Sequence, residues 1–341
     1  MSQQIVSRLS VTLSLLCLSV LSSELSAQVE RFEFRENYMG STFRLVLYAE
    51  SQSEAAKAAQ AAFKRIAELN LILSDYDPES EVNALSVSSG KGEWMDISPD
   101  LLEMLTQSLN YSQQSKGDFD ITVGPLVRLW RKSVREAKLP DKKRLKKVKQ
   151  SVGHQHILIQ AEQSLAKLEQ PGMRIDFGGI AKGYAVDEAY KVLMKFKIKT
   201  ALVDGGGDMY LGPAPPGERG WHVSIQSLEC DSSEKIVVLA NCGIATSGDR
   251  YRYVELDGKR YSHIIHPKKG LGITQRRQVT VIAPSSTQAD ALASTFSVAG
   301  LKKTRRLSKK NPGVSFSYFF LQKGNWQNHT SDNFNTYINP T

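Results

Sequence analysis

From residue 156 onward, the sequence predicts short strands that follow one another with few helices between them. The predicted strands span residues 156–160, 174–176, 201–204, 222–226, 236–240, 252–256 and 278–282. Helices are predicted over 181–195 and 287–299. Strands in runs, rather than in regular alternation with helices, are typical of an α+β domain with a mostly antiparallel sheet. The pattern therefore argues against a parallel, doubly wound sheet.

The first half of the chain is predicted to be mainly helical. Its expected elements are a strand over 32–50 that is broken at 39–41, and helices over 53–73, 101–114 and the end of 118–130. The run Ser98-Pro99-Asp100 supports the second of these helices, because Ser is a favoured N-cap and Pro is favoured in the first helical turn.

No long linker or internal repeat divides the chain, so we expect one compact catalytic unit over 28–325. The remaining residues, 326–341, are polar and rich in Asn. We expect this C-terminal tail to fray.

The N-terminus has the layout of a secretory signal. Arg8 precedes an almost uninterrupted apolar run over 11–21, and small residues end at Ala27. We therefore predict a signal peptide over 1–27, a mature chain from about Gln28, and an exported, periplasmic protein. An uncleaved membrane anchor is the alternative, although the apolar run is about half of the ~20 residues that a spanning helix needs. Cys17 follows Leu rather than small residues, so we do not predict lipidation there.

The mature chain keeps Cys230 and Cys242, with a predicted strand between them. An exported protein enters an oxidising compartment, where these two cysteines could form a disulfide. Spacing does not show whether the two Cβ atoms come close enough, so a disulfide and two free thiols both stay open. The sequence has no paired Cys or His pattern of a zinc site.

The chain carries a formal charge of +9, and much of it lies in one segment. Residues 128–149 hold eleven Lys or Arg against Glu136 and Asp141 alone. Such basicity favours anionic partners in general. A solvated helix face is the simpler interpretation, and the export signal argues against a nucleic-acid partner.

The segment from Arg174 to Asp187, RIDFGGIAKGYAVD, indicates a buried strand that passes through a Gly turn into a helix. Free amides at a helix N-terminus suit a phosphate group. The glycine pair matches neither the phosphate loop of nucleotide hydrolases nor the dinucleotide fingerprint. From this segment alone, a tight turn and a ligand site are equally good interpretations.

Two other segments carry polar groups that suit catalysis. Asp290 and Ser294 lie one turn apart on a predicted helix, and such oxygen ligands suit magnesium. His263 has a reference pKa near ~6.5, which suits a proton acceptor. Taken alone, a helix-starting Asp with a solvent-facing Ser, and a structural His, explain these residues as well.

Read together and in order, these segments resemble the ApbE family of FAD:protein FMN transferases. The matching stretches are MGST at 39–42, LSDYDPESE at 73–81, GDFDITVGP at 117–125, DFGGIAKGYAVD at 176–187, DGGGD at 204–208, TSG at 246–248, HII at 263–265 and ADALAS at 289–294. Each is weak alone, but eight in register are specific.

The resemblance implies a two-lobed, T-fold-like α+β unit with mostly antiparallel sheet and flanking helices, in which FAD lies in a cleft between the lobes. It implies FAD contacts at Met39, Tyr76, Asp118, Phe119, Asp120, Asp176, Lys182 and Ile265. It also implies Mg²⁺ bound by Asp290, Ser294 and the backbone carbonyl of Gly179. The implied catalytic residues are His263, Asp290 and Lys182.

The implied reaction is Mg²⁺-dependent transfer of FMN from FAD to a Thr or Ser hydroxyl of another protein, with release of AMP. His263 is the expected base, and Lys182 is expected to neutralise phosphate charge. The expected acceptor is an exported or membrane-bound redox protein. Two alternatives stay open: an FAD pyrophosphatase that yields FMN and AMP, and a non-catalytic flavin-binding protein. The chain departs from the family pattern at His266, where an Asp is usual, so the adenine or acceptor side is expected to differ.

Overall fold

The computed structural model describes residues 29–225, 228, 234–249 and 252–338. Its helices are α1 (Gln52–Leu73), α2 (Glu81–Val87), α3 (Pro99–Gln114), α4 (Gly124–Arg135), α5 (Lys142–Lys149), α6 (Ala181–Lys195), α7 (Ser286–Ala299) and α8 (Leu301–Ser308). None of the helices in these ranges is long and apolar enough to cross a membrane.

The strands belong to one large antiparallel sheet and three small ones. The large sheet has the order β1-β2-β6-β7-β10-β13-β14-β15. Its strands are β1 (Glu30–Tyr38), β2 (Ser41–Ala49), β6 (Ala201–Asp204), β7 (Met209–Leu211), β10 (Cys242–Gly248), β13 (Arg277–Ala283), β14 (Ser315–Gln322) and β15 (Asn325–Thr330). The small sheets are formed by β3 (Met95–Asp96), β4 (Ile157–Gln160) and β5 (Leu165–Leu168), by β8 (Trp221–Ile225) and β9 (Lys235–Leu239), and by β11 (Tyr253–Leu256) and β12 (Lys259–Ser262).

Both faces of the large sheet are covered, because side chains alternate along each strand. On β2, Phe43 and Leu45 belong to the main core beneath α1, α6 and α7. Val46 points to the opposite face, where it joins a second core with Trp221 and Val237 of the β8–β9 hairpin. The main core therefore lies between the helices and the sheet.

A smaller lobe has a core of its own. Leu126 and Trp130 of α4 pack with Leu256 and Tyr261 of the β11–β12 hairpin and with Ile265. Leu145 and Val148 of α5 cover the outside of this cluster. The chain thus forms two lobes, and the α+β, mostly antiparallel prediction is confirmed.

Helices α6 and α7 are in unusually close contact at Gly183. A Cβ atom on Gly183 would lie 2.4 Å from the backbone oxygen of Ser286. The Asp187 carboxylate on α6 accepts hydrogen bonds from the backbone N–H groups of Ser286 (2.9 Å) and Thr287 (2.8 Å), at the start of α7. In return, Asp290 on α7 accepts one from Gly183 N–H at 3.1 Å. Each helix thus satisfies the other's buried polar groups.

The helices are the best predicted elements. α6 has the predicted bounds, and α3 begins after Ser98, whose hydroxyl accepts from Leu101 N–H at 3.2 Å. The predicted strand over 174–176 is wrong. That segment belongs to no strand, because the N–H groups of Ile175 and Asp176 donate to the Ser86 hydroxyl and the Ile121 carbonyl.

The C-terminal segment also differs from expectation. Residues predicted to fray include all of β15 except Asn325, although this strand pairs along its length with β14, and they include the buried Phe334. The polar composition of this segment did not indicate a strand, because one face of an edge strand can stay solvated and therefore carry polar side chains. The predicted signal peptide, Cys17 and Cys230 lie outside the described residues, so the Cys230–Cys242 pairing stays a prediction.

We predict that Gly183→Ala destabilises the protein. Ala normally improves a helix by about 1 kcal/mol relative to Gly. Here the added methyl group collides with backbone that cannot rotate away, so we expect a loss of about 1–3 kcal/mol. Urea unfolding measures the change, with the exposed Lys195→Ala on the same helix as control. Equal or greater stability of Gly183→Ala would show that the two helices are free to separate.

Candidate active site

A cavity of about 1070 Å³ lies between the two lobes. This volume lies just above the range of about 300–1,000 Å³ that is usual for small-molecule sites. All twelve residues that the sequence singled out line it: Met39, Tyr76, Asp118, Phe119, Asp120, Asp176, Gly179, Lys182, His263, Ile265, Asp290 and Ser294. Residues that lie up to 255 positions apart are thus brought to one site, while the role of each stays a prediction.

The oxygen-bearing groups at the helix contact form one wall. Asp290 is buried, with one carboxylate oxygen on Gly183 N–H. Ser294 lies one turn further along α7, and its hydroxyl would be 3.0 Å from a Cβ atom added to Gly179. Gly179 therefore has to lack a side chain for its backbone to approach this hydroxyl. A carboxylate, a hydroxyl and a backbone carbonyl are the kinds of ligand that a hard divalent cation takes.

The charges on this wall favour a cation. Burial and the neighbouring Asp208 raise the pKa of Asp290 to about 8, although Lys182 lowers it. The described residues contain no group of three or more His, Cys, Asp or Glu suited to a metal. A site with one carboxylate and neutral oxygens fits Mg²⁺, which is usually held by one or two carboxylates with substrate phosphates.

Lys182 remains a cation within the same wall. Its ammonium group donates to the Asp208 carboxylate. Burial opposes the charge, but Asp208 and Asp290 outweigh it and raise the pKa of Lys182. Lys182 is therefore a fixed positive charge at the beginning of α6.

His263 lines the same cavity and follows β12 in the chain. Its Nδ1 atom is 3.1 Å from the Arg252 carbonyl oxygen. Since a carbonyl only accepts, Nδ1 carries the proton, and Nε2 of the neutral ring is free to take one. Partial burial of the imidazole disfavours its charged form and lowers the pKa of His263. Solvent still reaches the residue from the cavity, so the neutral ring is accessible to a substrate.

Tyr76 is held by a residue that the sequence did not single out. The Arg131 guanidinium lies 4.1 Å from the centre of the Tyr76 ring and donates to Asp75 at 2.8 Å. It also lies 4.0 Å from Asp176. The other face of the ring is available for stacking, because Tyr76 is 75% exposed.

Asp118 and Asp120 differ in what their carboxylates do. Asp118 contacts the ammonium groups of Lys268 (3.1 Å) and Lys303 (2.5 Å). Asp120 accepts from Thr122 N–H at 2.9 Å and from His154 N–H at 3.1 Å. The Asp120 carboxylate therefore mainly fixes the local turn, whereas Asp118 belongs to a charged cluster at the cavity wall.

Sequence reasoning missed Asp208 and Arg131 as site residues. Asp208 ends the matched DGGGD stretch, which was the signal available for it. Arg131 lies within the basic run, where nothing distinguishes it from its solvated neighbours. Only the packing of α4 against Tyr76 and Asp75 shows that it faces the cavity.

Comparison with known proteins decides the family. The model of the ApbE family matches residues 39–317. The chain belongs to the ApbE family. This confirms the resemblance drawn from the eight sequence stretches.

Individual ApbE proteins match over most of their length. An FAD:protein FMN transferase of Treponema pallidum (strain Nichols) is 29% identical over 333 residues, covering 93% of this chain and 91% of that protein. One of Escherichia coli (strain K12) is 29% identical over 276 residues, covering 79% and 76%. The structure of the flavin transferase ApbE from Vibrio cholerae superposes with a TM-score of 0.81 at 25% identity, covering 91% of this chain and 100% of that one. The ApbE fold therefore extends through both lobes.

We predict that Asp176→Asn stabilises the metal-free protein at pH 8. Burial, then Asp75, raises the pKa of Asp176 from 3.8 to about 6, so the folded state carries this carboxylate at a cost of up to about 3 kcal/mol. The Asn side chain avoids that cost and can still accept from Gly178 N–H.

The gain in the free energy of unfolding of Asp176→Asn over wild type should decrease as the pH falls from about 6 to about 4. In that window the folded wild type binds its proton before the unfolded chain does, which stabilises the wild type. Urea unfolding in EDTA at pH 5 and pH 8 measures this, with the exposed Asp96→Asn as control. A variant that is less stable than wild type at pH 8 would contradict the prediction.

Proposed function

We propose that this chain transfers the FMN half of FAD to a hydroxyl group of a Thr or Ser in an acceptor protein, in a Mg²⁺-dependent reaction that releases AMP. The observation that carries the proposal is the convergence of Asp290, Ser294, Gly179, Lys182 and His263 on one cavity. Oxygen ligands for a cation, a fixed positive charge and a neutral imidazole are the groups that phosphoryl transfer requires. The relatives named FAD:protein FMN transferase support the same reaction.

FAD binds as substrate along the cavity between the lobes. Tyr76 offers a ring face for stacking, and Arg131 on its far side keeps that ring over the cavity. Met39, Phe119 and Ile265 supply apolar wall. Lys182 contributes the positive charge for the pyrophosphate.

Asp290, Ser294 and the Gly179 carbonyl would hold Mg²⁺. The raised pKa of Asp290 supports this, since a nearby cation favours the carboxylate that burial and Asp208 disfavour. When bound, Mg²⁺ supplies positive charge that stabilises the oxygen of the departing AMP.

His263 accepts the proton at Nε2 as the acceptor hydroxyl attacks the FMN-side phosphorus. A new bond forms between the hydroxyl oxygen and phosphorus, the bond from phosphorus to the bridging oxygen breaks, and its electron pair leaves with AMP. The Arg252 carbonyl keeps the Nδ1 proton in place, so His263 presents the basic nitrogen throughout.

The acceptor is an exported or membrane-bound redox protein, and the transferase acts outside the cytoplasm. The signal layout of residues 1–27 supports this location.

Replacing Asp290 tests the cation site. Asp290→Asn should lower Mg²⁺-dependent AMP release from FAD by at least about a thousandfold, because it removes the charged ligand while the fold keeps a side chain of equal size. Ser294→Thr, which keeps the hydroxyl, should stay within about tenfold of wild type, whereas Ser294→Ala should lose more. Asp332→Asn is the control for an exposed carboxylate. Full activity of Asp290→Asn would refute this ligand assignment.

Replacing His263 tests the base. His263→Gln should lower kcat about 10²–10⁴-fold at pH 8 and leave the Kd for FAD nearly unchanged. In the wild type at saturating Mg²⁺, which should keep Asp290 ionised, kcat should fall as the pH drops through the pKa of His263. Burial places that pKa below its ordinary 6.5, and kcat should be flat above it. His222→Gln, on the remote β8, is the control. A pH profile that is the same in His263→Gln and wild type would assign the base to another group.

A further inference from the structure

Helix α5 carries a dense cluster of positive charge at the surface. Its six exposed basic side chains are Lys142, Lys143, Arg144, Lys146, Lys147 and Lys149. The nearest carboxylate in sequence, Asp141, caps the helix by accepting from the N–H groups of Lys143 (2.9 Å) and Arg144 (3.0 Å). In the described part of the chain, no α5 side chain forms an ion pair. This positive charge is therefore not neutralised locally.

A groove between α4 and α5 extends this charged surface. It has a volume of about 240 Å³ and is lined by Pro125, Leu129, Val148, Arg128, Lys132 and Arg144. The first three form an apolar floor, and the last three provide a cationic rim. Glu136 offsets one of these charges, since it lies 3.4 Å from Lys132. A floor and rim of this kind fit a segment that combines apolar and acidic side chains.

The groove adjoins the active site through α4 and through the loop after His263. On its other side, α4 lines the cavity with Val127, Trp130 and Arg131. A groove on one side of α4 and a cavity on the other are separated by about one helix diameter, ~10 Å. The loop packs on α5 as well, since a Cβ atom on Gly270 would lie 2.8 Å from Leu145. A molecule bound in the groove can therefore also reach the cavity mouth.

The surface suits a polypeptide better than a lipid bilayer. Interfacial membrane helices insert an apolar face between lipids. On α5 the apolar side chains Leu145 and Val148 are instead packed within the small lobe. Apart from Val148 at the groove floor, the side chains that α5 exposes to solvent are the six basic ones.

We propose that the α4–α5 surface, defined by the groove residues and the six basic side chains of α5, binds an acidic segment of the acceptor protein and so brings its hydroxyl group to the cavity. This inference rests on the proposed function, because only a protein acceptor needs a docking surface beside the active site. Since the contact is electrostatic, it should increase the rate of association and be screened by salt.

The test compares two variants with matched charge loss. The docking variant carries Lys143→Gln, Arg144→Gln, Lys146→Gln and Lys147→Gln on α5. The control variant carries Lys302→Gln, Arg306→Gln, Lys309→Gln and Lys310→Gln at exposed positions on and just after α8, which packs on α7 and β14. Each purified protein is incubated with FAD, Mg²⁺ and the exported-protein and membrane fractions of a strain that lacks this gene. Covalent flavin fluorescence in denaturing gels gives the initial rate of transfer.

At low salt the docking variant should label acceptors about tenfold more slowly than wild type, at the low end of the rate gains from electrostatic steering. Its Kd for FAD should be unchanged, and the control variant should match wild type. Raising NaCl to 0.5 M should reduce the wild-type rate toward that of the docking variant.

Three results would overturn the proposal. Equal rates for the docking variant and wild type would show that the surface does not bind the acceptor. A defect that disappears when the membrane fraction is solubilised in neutral detergent would assign the surface to anionic lipid. A total absence of covalent flavin with wild type, despite FAD binding, would reject the proposed function itself and the docking inference with it.

Discussion

The contact between α6 and α7 determines the geometry of the site. It depends on Gly183, whose missing side chain lets the start of α7 approach, and on the exchange of hydrogen bonds through Asp187 and Asp290. Because Lys182 lies in the first turn of α6 and Ser294 on α7, any separation of the helices would pull apart the positive charge and the oxygen ligands. The packing of α6 against α7 and the arrangement of the charged and oxygen-bearing groups in the cavity therefore depend on the same contact.

The site keeps charges that a purely structural protein would avoid. Burial raises the pKa of both Asp176 and Asp290, and the neighbouring carboxylates Asp75 and Asp208 add to the effect. Such carboxylates lower the stability of the folded protein at neutral pH. They are useful where a cation or a cationic side chain completes the arrangement, as we propose for Mg²⁺ at Asp290. The balance is typical of active sites, which give up stability for ligand binding.

The sequence predicted the helices better than it predicted the sheet, and the residues it singled out for the site line one cavity. Capping residues and helical periodicity are local signals, which is why α3 and α6 were found with little error. The segment over 174–176 was predicted as a strand, but its hydrogen-bond partners, Ser86 and Ile121, come from helical turns that only the fold brings near. Arg131 was missed for a related reason, since its place at the cavity is shown by its contact with Tyr76 and not by its own sequence context.

The most direct test of the proposed transfer is to follow the fate of both halves of FAD in one reaction. The purified chain would be incubated with FAD, Mg²⁺ and exported proteins from a strain lacking this gene, and AMP, free FMN and protein-bound FMN would be quantified by mass spectrometry. Transfer of FMN to a protein acceptor should give one protein-bound FMN for each AMP released, with both products lost in EDTA. AMP accompanied by an equal amount of free FMN, or FAD that stays bound and intact, would contradict it.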